Sequence, residues 1–162
     1  DRSPSRGLGD VYKRQITRCA DPTRPYAWIG DRVMEVYRYL HDRGWAHSVE
    51  TWNAQGRLVG GLYGVSVGGF FSGESMFHDP EYGRDASKTA LMRLVCELGP
   101  GLLDVQWSTP HLARLGVIDV DRAEYLALLS DALERPSPQW TSLDDPAWNG
   151  GHLLERLRKM TN

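Results

Sequence analysis

Between residues 46 and 77 three apolar runs follow one another with only short turns between them, and this stretch limits the possible folds most. Residues 46–52 (AHSVETW) lead through NAQG (53–56) into 57–67 (RLVGGLYGVSV), and Gly68-Gly69 then leads into 70–77 (FFSGESMF). Runs rich in β-branched and aromatic residues, separated by turns of this kind, read as strands joined by hairpins. Two hairpins in series make an antiparallel meander. Its apolar faces need covering by other elements.

The flanking segments have the helical period. Residues 31–43 carry Val33, Met34, Tyr37 and Leu40 on one face, with Gly44 as the stop. From Asp85 the run DASKTALMRLVCELG spaces Ala90, Leu91, Leu94, Val95 and Leu98 as a helix and ends at Gly99. Residues 102–107 (LLDVQW) read as a strand, and Thr109-Pro110 as an N-cap with proline at the first helical position, in a short helix ending at Gly116. Residues 117–120 read as a further strand. Asp121 and Glu124 are spaced as a capping box that opens a helix to about residue 134. The order α-β-β-β-α-β-α-β-α predicts an α/β (α+β) fold, a mixed sheet with helices on both faces.

The ends read differently. Residues 1–15 (DRSPSRGLGDVYKRQ) show no period and are expected to be a foreign or disordered leader, and 16–26 a proline-rich loop. The domain is expected over 16–135, followed by a Pro- and Trp-rich tail, 136–162, that ends in a short basic helix. A chain of 162 residues, 41% hydrophobic and 25% charged, fits one globular domain. A net charge of −2 argues against a general polyanion-binding surface. No apolar run reaches membrane-spanning length, no secretory signal is read, and two cysteines make no disulfide framework; a cytoplasmic location is expected.

Several chemistries lack their motifs. There is no phosphate-binding loop and no dinucleotide fingerprint, and the five histidines lack metal-ligand spacing, so neither a metal nor a cofactor is expected. Gly73-Glu74-Ser75 begins like a nucleophile elbow but lacks the second glycine. What stands out instead is three polar residues in apolar strands: Glu74, Asp104 and Gln106. Two readings of each stay open. Glu74 is either a structural ion pair, with Lys88 for example, or a group facing a cationic substrate. Asp104 and Gln106, two apart and so on one face of a strand, either satisfy loop backbone or hold an ammonium group. Leu91, Leu94, Leu98 and Phe71 form a group that is more often plain core than a ligand pocket, and composition does not separate the two.

Taken together, GRLVGGLYGVSVGGFFSGESMF (56–77), DASKTAL (85–91) and LLDVQWSTPHLARLG (102–116) resemble leucyl/phenylalanyl-tRNA–protein transferases, and the likeness extends upstream through 28–52. The resemblance implies a GNAT-like catalytic domain. It implies transfer of leucine, phenylalanine or methionine from charged tRNA to an N-terminal arginine or lysine, which marks the acceptor for degradation. The partners implied are leucyl-tRNA, phenylalanyl-tRNA and acceptor proteins with N-terminal Arg or Lys, with no membrane and a monomeric state.

By the same resemblance Glu74, Asp104 and Gln106 fall on the family's catalytic carboxylate, supporting aspartate and glutamine. Trp28 and Tyr37 fall on aromatics near the aminoacyl-adenosine end. Leu62, Phe71, Leu94, Leu98 and Leu103 fall on the pocket for the transferred side chain, where the family often has methionine or phenylalanine. The family's N-terminal domain is not matched, and the chain is expected to be a truncated transferase. Two alternatives accompany this reading: an acyltransferase using acyl-CoA, and an inactive module that binds aminoacyl ends or basic N-termini.

Overall fold

The computed structural model describes residues 8–23 and 28–140, with side chains from residue 14 onward, and the helical residues Glu155 and Lys159. The meander forms as its turns dictate. Strand β1 (Ala46–Trp52) turns at Asn53, whose Oδ1 accepts from the backbone N–H groups of Gln55 and Arg57, and Gly56 supplies φ +72°. Strand β2 (Leu58–Val67) returns, Gly68 turns at φ +57°, and β3 (Phe70–His78) completes the antiparallel set. Strand β4 (Leu102–Asp104) joins the far side in parallel, giving the order β1-β2-β3-β4.

The register of β2 on β3 breaks once. Leu62 lies opposite Met76 and Tyr63 opposite Ser75, but Gly64 lies opposite Gly73, which leaves Glu74 as the extra residue of a β-bulge.

Helices cover both faces. On one face α1 (Leu8–Cys19) and α2 (Asp31–Asp42) enclose a cluster of Ile16, Cys19, Ile29, Ala46, Tyr63 and Phe77. Val33, Met34, Tyr37 and Leu40, the stripe read from the sequence, are the α2 residues packed on it. On the other face α3 (Ala86–Leu98) places Ala90, Leu94 and Leu98 on Val49, Leu62 and Phe71. Its first turn comes so close to the sheet that a Cβ at Gly60 would stand 2.5 Å from that of Ala86. A short helix α4 (Pro110–Ala113) and then α5 (Arg122–Glu134) follow, and α5 packs on β3 and β4. Their caps are as expected: Thr109 Oγ1 accepts from the Leu112 N–H, and Asp121 Oδ1 from the Glu124 N–H.

The structure corrects four local expectations. Residues 8–15 and 16–19, read as leader and loop, form α1; burial of Ile16 and Cys19 in a tertiary cluster supplies what local propensity lacks. The strand expected over 102–107 ends at Asp104, because the chain turns out of the sheet at Gln106 with φ +71°. Residues 117–120 are not a strand: among the described residues no strand pairs with them, Ile118 is 77% exposed, and Asp121 opens α5 at once. Asp104 and Gln106 are therefore not alternate residues of one strand face. The basic helix expected in the tail lies outside the described residues, except for Glu155 and Lys159, which form an i,i+4 ion pair.

Candidate active site

The bulge decides where Glu74 points. Its Oε1 accepts from the Ser72 hydroxyl at 3.0 Å, and the Tyr37 hydroxyl of α2 also donates to it. Burial and then the Glu74 charge and hydrogen bond push the Tyr37 phenol well above its usual range, so it remains a donor. Lys88, the ion-pair partner considered above, bonds Asp85 instead, the residue that precedes α3 at its N-cap. Among the described residues the partners of Glu74 are thus hydroxyls, which bind a carboxylate without neutralising its charge. A carboxylate so held has capacity left for a cation.

Asp104 and Gln106 meet through a turn. Asp104 Oδ1 accepts from the Gln106 backbone N–H at 2.7 Å, closing an Asx-type turn around Val105. This bond accompanies a left-handed backbone at Gln106, a conformation that costs a non-glycine residue on the order of 1–3 kcal/mol and persists where its surroundings enforce it. The Gln106 side chain then reaches back to β3, where Nε2 donates to the Gly73 carbonyl at 3.0 Å. A carbonyl can only accept, so the amide orientation is fixed: nitrogen toward Gly73, oxygen away from it. The second oxygen of Asp104 accepts from the Tyr125 hydroxyl of α5 at 2.7 Å.

Gln106 is thus bonded to the residue that precedes Glu74 in β3. The parallel pairing of β3 with β4 ends at Ser72 opposite Asp104, and just beyond it Gly73 carries the Gln106 bond on its carbonyl while Glu74 projects from the next residue. Gly73 leaves the sheet without a side chain there; a Cβ would stand 3.8 Å from Leu103 and 3.9 Å from Val105. Leu103 belongs to the apolar cluster under α3, so the polar turn and the apolar cluster adjoin at this glycine.

Leu62, Phe71, Leu94, Leu98 and Leu103 do come together, all in that cluster. Phe71 packs over Gly64, where a Cβ would lie 2.4 Å from its ring. Trp140 closes the cluster from the tail, tilted on Phe71 and stacked on His47. Tyr37 stands edge-on to Tyr63, with centroids 5.2 Å apart, and joins the site through Glu74. Trp28 is half exposed. A separate cavity of about 690 Å³, lined by Arg14, Arg18, Trp52 and Arg57 among others, includes none of them.

Sequence reasoning missed Ser72, Gly73 and Tyr125. Ser72 was findable, being two residues before Glu74 on a strand. Tyr125 was not, since nothing local ties a helix residue to an aspartate 21 positions earlier.

The leucyl/phenylalanyl-tRNA protein transferase family model matches residues 8–130. A transferase of that name from Rhodopseudomonas palustris (strain TIE-1) is 51% identical over 128 residues, 76% of this chain and 55% of its own length. One from Rubrobacter xylanophilus is 46% identical over 125 residues, covering 75% of this chain and 63% of its own. A third, from Afipia carboxidovorans, is 41% identical over 159 residues, 95% of this chain and 68% of the relative. The chain thus spans little more than half the length of the first of these relatives. The match also begins upstream of residue 16, inside the segment read as a leader.

Proposed function

The chain belongs to the leucyl/phenylalanyl-tRNA protein transferase family, and we propose from this that it moves a leucyl or phenylalanyl group from charged tRNA to the N-terminal amine of an acceptor protein beginning with Arg or Lys. The observation that carries the reading is the junction at Gly73, which takes the Gln106 amide on its carbonyl, precedes the hydroxyl-held Glu74 and lies beside Leu103 of the apolar cluster. Each serves one part of the substrate pair. Glu74 draws in the cationic acceptor terminus. The Gln106 carbonyl oxygen accepts from the acceptor α-amine and aims its lone pair. Leu62, Phe71, Leu94, Leu98 and Leu103 receive the aminoacyl side chain, while Trp28 and Tyr37 flank the aminoacyl-adenosine end. The sheet order, an antiparallel meander with one added parallel strand, supports a GNAT-like catalytic unit.

The chemistry needs little beyond this. The aminoacyl ester is already activated: the amine nitrogen bonds the ester carbonyl carbon, the C–O bond to the ribose breaks, and the ribose oxygen leaves carrying a proton. Holding amine and ester in register contributes about 7–11 kcal/mol toward the barrier. An α-amine with an ordinary pKa of about 7.7–8.0 is partly neutral at cellular pH, so orientation matters more than deprotonation. A carboxylate favours the charged amine, which assigns Glu74 to selection and Gln106 to alignment. Leakage between leucine, phenylalanine and methionine is expected, since one methylene discriminates by only about 1–3 kcal/mol. We place the enzyme in the cytoplasm as a monomer, where charged tRNA and its acceptors meet.

The test is transfer of labelled phenylalanine from phenylalanyl-tRNA to a peptide beginning with arginine. Label should enter the peptide, and Gln106→Ala should lower turnover more than aminoacyl binding. Binding lost with turnover intact would overturn the role of Gln106. Binding without transfer, even with a relative's N-terminal domain added in trans, would make this an aminoacyl-binding module.

A further inference from the structure

The Asp104 carboxylate holds one partner with each oxygen: the Gln106 backbone N–H on Oδ1 and the Tyr125 hydroxyl on Oδ2, both at 2.7 Å. Tyr125 sits in the first turn of α5, where its backbone N–H bonds the carbonyl of the capping residue Asp121. A carboxylate bonded on one side only can rotate about its terminal torsion, whereas one bonded on both sides is fixed in angle. Gln106 depends on that angle, because its left-handed backbone has the Asp104 oxygen as its hydrogen-bond partner.

We infer that Tyr125 is a positioning residue for the transfer reaction: its hydroxyl locks the Asp104 carboxylate, which holds the Gln106 backbone in the left-handed conformation and keeps the Gln106 side-chain oxygen turned toward the acceptor amine. This rests on the functional reading above and adds a residue from a helix outside the sheet. The hydrogen bond to Asp104, with burial and the Asp104 charge, raises the Tyr125 phenol above its usual range, so the donor keeps its proton through neutral and mildly alkaline pH.

Tyr125→Phe removes the hydroxyl and keeps the ring. In the full chain, kcat for phenylalanyl transfer should fall on the order of tenfold, the size expected for one hydrogen bond to a charged group, with acceptor KM changed less than twofold. Independently of activity, amide hydrogen exchange at Gln106 should speed up several-fold and its amide resonance should move, while β2 and β3 amides stay in place. An unchanged Gln106 amide overturns the inference whatever the activity. So does a changed amide with kcat intact in an active chain. If the unsubstituted chain transfers no label even with a relative's N-terminal domain added in trans, the functional reading falls, and the Gln106 amide still decides whether Tyr125 holds the turn. Should Tyr125→Phe fail to fold, Asp121→Ala, which loosens the first turn of α5 and leaves Tyr125 in sequence, should shift the same amide in the same direction by less.

Discussion

Glu74 is held by hydroxyls, which separates two effects of replacing it. Glu74→Gln keeps an acceptor for Ser72 and Tyr37 and removes only the charge. Stability should therefore change by less than about 1 kcal/mol, as no buried cation is left unpaired. Acceptor binding should suffer: KM for a peptide beginning with arginine should rise about 10–100-fold, the worth of one charge-assisted bond, with kcat much less affected. Steady-state kinetics over acceptor concentration, beside a denaturant titration, measures both. A peptide beginning with an uncharged residue should show no such change in KM, and an equal change for both would end the assignment of Glu74 to the cation.

At the scale of elements the molecule is built on places where side chains are missing. Phe71 fills the space over Gly64, and a Cβ there would also come 2.0 Å from the Ser72 carbonyl oxygen. Backbone cannot swing aside as a side-chain tip can. Gly64→Ala should thus destabilise by roughly 1–3 kcal/mol and displace Phe71, read as a lowered denaturant midpoint with an unchanged slope. This scale also shows what sequence can convey. The meander, α2, α3 and both downstream caps were legible, since period, turn residues and capping side chains act within a few positions. The bulge at Glu74 was not, because counting by twos along a strand cannot show two residues set against one. Asp104 and Gln106 stand out as polar residues in an apolar run, but they meet through a turn and not through strand alternation. The stretch 117–120 alternates acceptably and still is no strand, for pairing requires a neighbour. Helix α1 was hidden for another reason: it is held by tertiary packing, on Ile29 and α2 and on Ala46, Tyr63 and Phe77 of the sheet.

Across the whole molecule two buried or partly buried groups oppose each other in pH. Burial raises Glu50, which accepts from Trp52 Nε1 and Ser48, to a pKa of about 7. Burial lowers His47, stacked on Trp140, to about 4. Between about pH 4.5 and 7 the unfolded chain has released the Glu50 proton and the native state has not, so this group makes stability fall as pH rises. Between about pH 4 and 6.5 the unfolded chain binds a proton at His47 that the native state does not, so this group makes stability rise with pH. The two slopes offset each other over most of their shared range. Glu50→Gln should expose the histidine slope, with midpoints rising from about pH 4.5 to 6.5, and His47→Gln should expose the reverse. Chemical denaturation across that range distinguishes them, and flat profiles in both variants would refute the pairing.

The brief parallel contact between β3 and β4 bears on the order of folding. The meander closes over tight turns, and loop-closure entropy is lowest for such local pairings. Strand β4 must return past the whole of α3 to make three residue pairs, and the Gln106 turn gains its Tyr125 bond only after α5 has docked. Competence is therefore acquired last, on a sheet already formed. Molecules damaged in α5 should accumulate as well-folded protein with an unfinished site, so yield and specific activity should part company for substitutions in that helix and move together for those in the meander.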